Sequence, residues 1–133
     1  MRVFTNGVFD ILHPGHMELL KFCRENFENS HVTVGINSDL SVKRLKGQSR
    51  PVNTQSDRAR MLRYLSFVDD VVIFDADDPL DVIMSLKPDV IVKGGDYDVQ
   101  SVIGNTVCKV EIFKFIDGYS SSEIIGKILD SKG

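Results

Sequence analysis

The stretch GVFDILHPGHMELL, residues 7–20, joins a strand-like start to an apolar helix and places His13 and His16 around Pro14-Gly15. Pro14 fits the first turn of a helix, because the N–H that it lacks would have no intrahelical partner there. Glycine lets the backbone approach a ligand closely. Free N–H groups and the positive dipole end make a helix start a natural anion site, to which two imidazoles add hydrogen-bond donors. The stretch therefore predicts a strand–loop–helix unit that binds phosphate, although ordinary structural histidines are the alternative.

The rest of the chain alternates strands with helices. Such alternation predicts a parallel sheet with right-handed crossovers, here a Rossmann-like α/β fold with five parallel strands and helices on both faces, formed by one domain, residues 1–133. Ligands of these sheets bind outside the carboxyl ends of the strands, so the loops at 6–16, 94–104 and 117–120 should gather at one edge. Apolar runs predict strands at 2–5, 31–36, 70–74, 89–94 and 109–115, and spacing and caps predict helices at 15–27, after Thr54, at 79–87 and at 122–129.

Composition excludes several classes of protein. The 133 residues are 42% hydrophobic and 26% charged, as in soluble globular proteins, and no apolar run reaches the roughly 18 residues of a membrane span. The N-terminus enters a strand at once, which predicts no signal peptide. Cys23 and Cys108 lack metal-ligand spacing and are interpreted as buried thiols in a reducing cytoplasm. A net charge of −3 argues against a nucleic-acid-binding protein. The local excess of basic residues within 43–63 nevertheless favours the binding of a small polyanion.

Three further features suit an anionic ligand, and two of them have a plainer alternative. Arg58 shares a helical face with the apolar Leu62 and Leu65, where an arginine is costly unless an anion meets it. Lys46 precedes Gly47 in a predicted loop and could close over a phosphate, but it could equally be a surface lysine. The hydroxyls of residues 120–122 stand at a helix start, where a capping box explains them without any ligand.

Two motifs, GVFDILHPGH at 7–16 and GYSSS at 118–122, resemble the nucleotidylyltransferase superfamily marked by His-x-Gly-His and Ile-Ser-Thr-Thr-type sequences. Within it, the stretches 34–62, 68–97 and 118–125 look like those of the adenylyltransferase domain that makes ADP-heptose from heptose 1-phosphate. The resemblance implies transfer of a nucleoside monophosphate from a nucleoside triphosphate to a sugar phosphate, with release of pyrophosphate. It also implies a homodimer.

The resemblance assigns a role to individual residues. His13 and His16 would bind the nucleotide phosphates and stabilise the transition state. Lys46 would bind the β- and γ-phosphates, and Arg58 would also contact phosphates. Gly95 would touch the substrate. The remaining nucleotide-binding positions would be Asn6, Gly7, Val8, Phe9, Asp10, Gly94, Asp96, Tyr119, Ser120 and Ser121.

Two alternatives to the heptose reaction stay open. One is a CTP-dependent cytidylyltransferase acting on glycerol 3-phosphate or a related small phosphate. In the relative that makes CDP-glycerol, the closing motif follows an arginine-threonine pair where this chain has Phe115-Ile116. The other is a module that binds a nucleotide without reacting. No dedicated metal cage is visible in the sequence, so Mg²⁺ is expected to be carried by the nucleotide phosphates and water.

Overall fold

A computed structural model describes residues 1–114 and 120–131. Five parallel strands form one sheet in the order β3-β2-β1-β4-β5, which confirms the predicted five-stranded parallel sheet. The elements in chain order are β1 Arg2–Gly7, α1 Pro14–Glu25, β2 His31–Asn37, α2 Asp39–Lys46, α3 Gln55–Arg63, β3 Asp70–Phe74, α4 Leu80–Leu86, β4 Val90–Gly94, a 3₁₀ turn Val99–Ser101, β5 Lys109–Phe113 and α5 Ser121–Asp130.

The sheet is covered on both faces, as predicted. Successive side chains of a strand point to opposite faces, so neighbours on β1 enter different cores: Val3 packs with Leu20 of α1 and Leu62 of α3, whereas Phe4 packs with Ile83 of α4. Strands buried on both faces read as continuous apolar runs. This explains why the runs in the sequence located the strands so closely.

One helix was not predicted, and this corrects the environment of Lys46. The residue ends α2 instead of lying in a loop. Ser38 begins this helix by accepting a hydrogen bond from the Ser41 N–H, and Gly47 ends it with φ of +103°. Lys43, Arg44 and Lys46 lie in the last turn of α2, where positive charge interacts favourably with the negative end of the helix dipole. Gly47, which suggested a loop, is instead the residue that ends the helix.

The two cysteines, both predicted to be buried thiols, differ in their burial. Cys23 is buried and burial raises the pKa of its thiol to about 12, whereas Cys108 is only half-buried, and both are free thiols. In residues 1–114 and 120–131 no helix combines the length and apolar character that crossing a bilayer requires.

Candidate functional site

The loop between β1 and α1 fixes both histidines through their Nδ1 atoms. His13 is the N-cap of α1, and its Nδ1 accepts a hydrogen bond from the Gly15 N–H over 3.1 Å. The Nδ1 of His16 accepts from the His13 N–H over 3.3 Å. A neutral imidazole carries one proton, so an Nδ1 that accepts a hydrogen bond leaves that proton on Nε2. Both rings are therefore held as Nε2–H donors.

An aromatic wall supports the second ring. Phe9 lies with its ring centroid 4.9 Å from that of His16, and it is buried in a left-handed conformation with φ of +50°. Gly7 makes room for it, because a Cβ at Gly7 would lie 3.1 Å from Cε2 of Phe9. A backbone outlier of this kind often accompanies a functional site, and here it brings an aromatic ring against the imidazole of His16.

Burial keeps both imidazoles neutral. It lowers the pKa of His16 to about 4, with a smaller contribution from the neighbouring His13. Burial also lowers the pKa of His13, partly opposed by the carboxylate of Glu123. At neutral pH the pair can thus donate hydrogen bonds to an anion without first losing or gaining protons.

A cavity of about 340 Å³ lies at the carboxyl edge of the sheet and contains this pair; we call it the main cavity. Its other lining residues come from the end of β1 and the loop after it, from α1, from the carboxyl ends of α2 and β4 and the loop after β4, from the loop before α3, and from the start of α5. The full lining is Asn6, Gly7, Val8, Phe9, Asp10, His13, His16, Leu19, Lys46, Arg50, Lys93, Gly94, Tyr97, Ser120, Ser121 and Ser122. The described parts of the loops that the sequence placed at one edge therefore meet there.

The structure brings together most of the site residues that the sequence predicted. The predicted residues that line the main cavity are both histidines, Lys46, the five residues 6–10, Gly94, Ser120 and Ser121. Gly95, Asp96 and Arg58 are not among the described residues that line it. Tyr119 lies outside the described residues.

Arg58 is a buried structural cation and is not among the described residues that line the main cavity, so its phosphate contact stays a prediction. Its side chain is 1% exposed. Nε donates to the carbonyl of Asn53 over 3.0 Å, and Nη1 donates to those of Val8 and Asn37 over 2.9 and 2.8 Å. Nη2 pairs with the Asp39 carboxylate at 2.9 Å. The guanidinium thus holds the chain after β1 and β2 in place, and Asp39 is the anion that its burial requires.

Asp10 ties the loop before α3 to the main cavity. Its carboxylate oxygens accept hydrogen bonds from the N–H groups of Val52 and Asn53, each over 2.8 Å. The Asn53 amide returns a bond to the Asp10 carbonyl over 2.8 Å. Since Arg50 belongs to this same loop, the hydrogen bonds of Asp10 also help to hold the backbone that carries this cation.

The start of α5 is fastened to the histidine loop. Ser121 Oγ accepts from the Ile11 N–H over 3.0 Å and donates to the Ile11 carbonyl over 3.1 Å. Ser120 is the N-cap and accepts from the Glu123 N–H, as the capping alternative predicted. Capping and a place on the cavity lining are therefore compatible in this serine.

Sequence reasoning missed three polar lining residues: Arg50, Lys93 and Tyr97. Arg50 lies in the basic excess of residues 43–63, which was a usable signal. Lys93 is the fourth residue of β4, where an apolar run ends in lysine; its Nζ lies 5.1 Å from the Tyr97 ring centroid, and burial lowers its pKa. A polar residue at the carboxyl end of a buried strand was the signal to follow there.

Residues 1–114 and 120–131 contain no group of three or more histidine, cysteine or acidic side chains arranged to hold a metal ion. The one acidic side chain among the described lining residues, Asp10, already accepts two backbone hydrogen bonds. Donors and cations thus dominate the cavity, which suits an anion with several phosphate oxygens.

A family model described as cytidylyltransferase-like matches residues 4–127. The chain belongs to the cytidylyltransferase-like family. The family match confirms the resemblance drawn from the two motifs, and it covers nearly all elements of the sheet and the helices that carry the site.

Among curated relatives, this family member is similar to the Bifunctional protein HldE of three bacteria. It is 53% identical to that of Campylobacter concisus over 98% of this chain, and 54% identical to that of Campylobacter fetus subsp. fetus over 95%. It is 48% identical to that of Citrifermentans bemidjiense over 97%. In each case the match covers 27% of the relative, so this chain spans about a quarter of their length.

Solved structures share the fold of this family member. The lipopolysaccharide core biosynthesis protein from Thermoplasma volcanium superposes with a TM-score of 0.70 and 29% identity, covering 90% of this chain and 98% of that one. The Macrolide-efflux Protein from Streptococcus pneumoniae has the same TM-score at 18% identity, covering 97% of this chain and 52% of that one. This second likeness concerns the fold alone.

Proposed function

We propose that this chain transfers the AMP group of ATP to D-glycero-β-D-manno-heptose 1-phosphate, giving ADP-heptose and pyrophosphate. The observation that carries the proposal is the convergence of two Nε2–H imidazoles, Lys46, Arg50 and the starts of α1 and α5 on the main cavity. Its volume of about 340 Å³ is within the range of small-molecule sites. The identity with HldE proteins and the sequence stretches that resemble the heptose domain support the choice of substrates.

The reaction needs positioning and charge neutralisation more than acid–base chemistry. An oxygen of the acceptor phosphate forms a bond to the α-phosphorus, and the bond from that phosphorus to the oxygen bridging to the β-phosphate breaks. The nucleophile is already anionic at neutral pH, so no group must deprotonate it. Two anions that repel each other must be aligned, and charge moving onto the leaving pyrophosphate must be stabilised.

Different residues of the main cavity perform these two tasks. The Nε2–H groups of His13 and His16 donate to oxygens of the nucleotide phosphates, where negative charge develops. Lys46 and Arg50 offset the charge of the pyrophosphate that leaves. Magnesium would be carried by the phosphates and water, where it neutralises charge, since the described lining offers no carboxylate that is free of backbone hydrogen bonds.

A panel of substrates tests the proposal. ATP and CTP are each combined with heptose 1-phosphate and with glycerol 3-phosphate in the presence of Mg²⁺, and pyrophosphate release is measured. We expect release that depends on the acceptor with ATP and heptose 1-phosphate. Faster release with CTP and glycerol 3-phosphate would replace the proposed pair by the cytidylyltransferase alternative, and nucleotide binding without any release would identify a non-catalytic module.

The assembly and location that the resemblance implies belong to the same proposal. We expect a homodimer, which sedimentation of the purified chain measures directly. We also expect a cytoplasmic protein, a location supported by the two free thiols and testable by fractionating cells that produce the full-length protein.

A further inference from the structure

A second, smaller cavity adjoins the main one. Its volume is about 140 Å³, room for roughly four or five water molecules, and we call it the side cavity. Three residues line both cavities: Asn6, Lys93 and Tyr97. The other residues of the side cavity are Pro79, Ser101, Val102 and Ile103, from the start of α4 and the 3₁₀ turn.

Sheet order puts the cations of the main cavity on two sides of β1. Lys46 and Arg50 follow β2, which pairs with one edge of β1. Lys93 belongs to β4, which pairs with the opposite edge. An in-line displacement also has two sides, because the entering phosphate and the leaving pyrophosphate approach and depart on opposite faces of the same phosphorus. If Lys46 and Arg50 offset the charge of the leaving pyrophosphate, as proposed above, Lys93 on the opposite side of β1 is placed to meet the entering phosphate.

Lys93 has a charge that the described residues do not pair. No ion pair or hydrogen bond of its Nζ occurs within residues 1–114 and 120–131, where its contact is the face of the Tyr97 ring at 5.1 Å. A half-buried ammonium is costly unless an anion approaches it. Burial lowers the pKa of Lys93, and a phosphate beside it would oppose that shift.

We propose that Lys93 binds the phosphate of the acceptor substrate and that the side cavity takes part of the sugar attached to it. The inference rests on the proposed nucleotidyl transfer and adds where the second substrate lies. Lys93 keeps its proton throughout, while the acceptor phosphate oxygen bonds to the α-phosphorus and pyrophosphate departs. Asn6 and Ser101 provide polar groups near the sugar, and Val102 and Ile103 provide apolar surface.

The first test replaces Lys93 by methionine, which keeps the length and apolar stem of the side chain. Losing a charged hydrogen bond should raise KM for heptose 1-phosphate roughly 10- to 100-fold. The Kd of Mg-ATP, measured by calorimetry without acceptor, should change by no more than about threefold if the nucleotide phosphates lie elsewhere. Lys21→Met, on the exposed face of α1, is the matched control and should leave both constants unchanged.

Two more variants test the charge of Lys93 and the space in the side cavity separately from any loss of stability. Lys93→Arg keeps the positive charge and should recover part of the acceptor affinity. Ile103→Trp fills the side cavity from a position that is 45% exposed, so it should raise KM for heptose 1-phosphate while the Kd of Mg-ATP and the midpoint of thermal unfolding stay as in the wild type.

The outcomes distinguish this inference from the proposed function. If the wild-type chain releases no pyrophosphate with any pair of substrates, the proposed function fails and this inference fails with it. If the wild type reacts but Lys93→Met weakens Mg-ATP binding and spares KM for the acceptor, the function stands and Lys93 is a nucleotide ligand. An Ile103→Trp variant with an unchanged acceptor KM would overturn the role of the side cavity.

Discussion

The imidazole rings of His13 and His16 stack with their centroids 3.8 Å apart and their planes inclined by 30°. Each ring accepts a backbone N–H through Nδ1, so the stacked pair presents two Nε2–H groups with fixed orientation. A donor that is already oriented needs no reorganisation when charge develops in a transition state. The main consequences for activity and for pH dependence follow from this pair.

Replacing His16 by asparagine should slow turnover by about 10²–10³-fold, the usual effect of removing one preorganised donor. Asparagine retains a short acceptor for the His13 N–H but does not reach as far as Nε2. Steady-state pyrophosphate release measures the rate, and calorimetry with Mg-ATP measures ground-state binding. Since the lost contact is expected to strengthen in the transition state, kcat should fall more than nucleotide affinity.

A variant with wild-type thermal stability and turnover within a factor of about two would contradict the role of this imidazole, because even one neutral hydrogen bond is worth that much. His31→Asn is the matched control. His31 is exposed at the start of β2, at the end of the sheet away from the main cavity, and its replacement should not alter turnover.

The lowered pKa of His16 predicts a loss of stability in mild acid. In the folded chain its pKa is about 4, against 6.5 for an ordinary histidine. Between these values the unfolded chain binds a proton that the folded chain does not, so the free energy of unfolding falls as pH drops from about 6.5 to about 4 and levels off below. After allowance for partial exposure, the loss is about 1–3 kcal/mol.

Urea unfolding at a series of pH values measures this effect, with His16→Asn as the comparison. The lowered pKa of the Asp69 carboxyl also reduces stability as pH falls, but it acts in both proteins and at lower pH. The difference between the two curves isolates the histidine. Parallel curves between pH 6.5 and pH 4 would show that His16 titrates normally in the folded state.

Arg58 should matter for folding more than for nucleotide contact. A lysine at this position cannot donate to three carbonyls and to the Asp39 carboxylate at the same time. Its ammonium is a compact donor, whereas the arginine guanidinium is planar and spreads its N–H donors in several directions. We expect Arg58→Lys to lower the free energy of unfolding by about 3 kcal/mol, as buried acceptors lose their partners. Arg60→Lys, exposed on the same helix, should cost almost nothing.

Urea unfolding of both variants, with Mg-ATP affinity measured beside it, decides between the two roles of Arg58. A stable Arg58→Lys protein that loses nucleotide affinity would restore the phosphate contact that the resemblance implied. A destabilised protein whose remaining folded fraction binds Mg-ATP normally would establish the structural role.

Local features of the sequence carried most of the prediction, and long-range contacts carried what it missed. The histidine unit is local: the N-cap, its Nδ1 bond to Gly15 and the start of α1 all lie within residues 13–16. Arg58 could be placed on a buried face from helical spacing alone, but its partner Asp39 lies 19 residues away. No periodicity reveals such a pair, so the spacing showed that an anion must meet the guanidinium but not that Asp39 supplies it.

The surroundings of Lys93 also depend on long-range contacts that the sequence does not reveal. Lys93 was read as the end of a strand, and its proximity to Asn6 depends on β4 pairing with β1 rather than with β3. Strand order is set by the packing of the crossover helices and not by any single stretch. The sequence therefore predicted the edge at which the site lies but not the residues that face each other across it.

Asp10→Asn should loosen the loop before α3 without removing any side chain volume. The amide that replaces one carboxylate oxygen is a donor, and it would face the N–H of Val52 or Asn53, which now donate to Asp10 over 2.8 Å each. Losing a charge-assisted bond costs about 1.5–3 kcal/mol. Hydrogen exchange at these two amides should therefore accelerate roughly 10- to 100-fold, since local opening follows that free energy.

The functional effect should reach the nucleotide through Arg50, which lies in the same loop and lines the main cavity. We expect KM for ATP to rise more than KM for the acceptor, because Lys93 on β4 is not attached to this loop. Asp81→Asn, exposed on α4, is the control and should change neither constant. If Asp10→Asn left amide exchange at Val52 and Asn53 unchanged while abolishing turnover, Asp10 would have to act on the reacting groups directly rather than by positioning the loop.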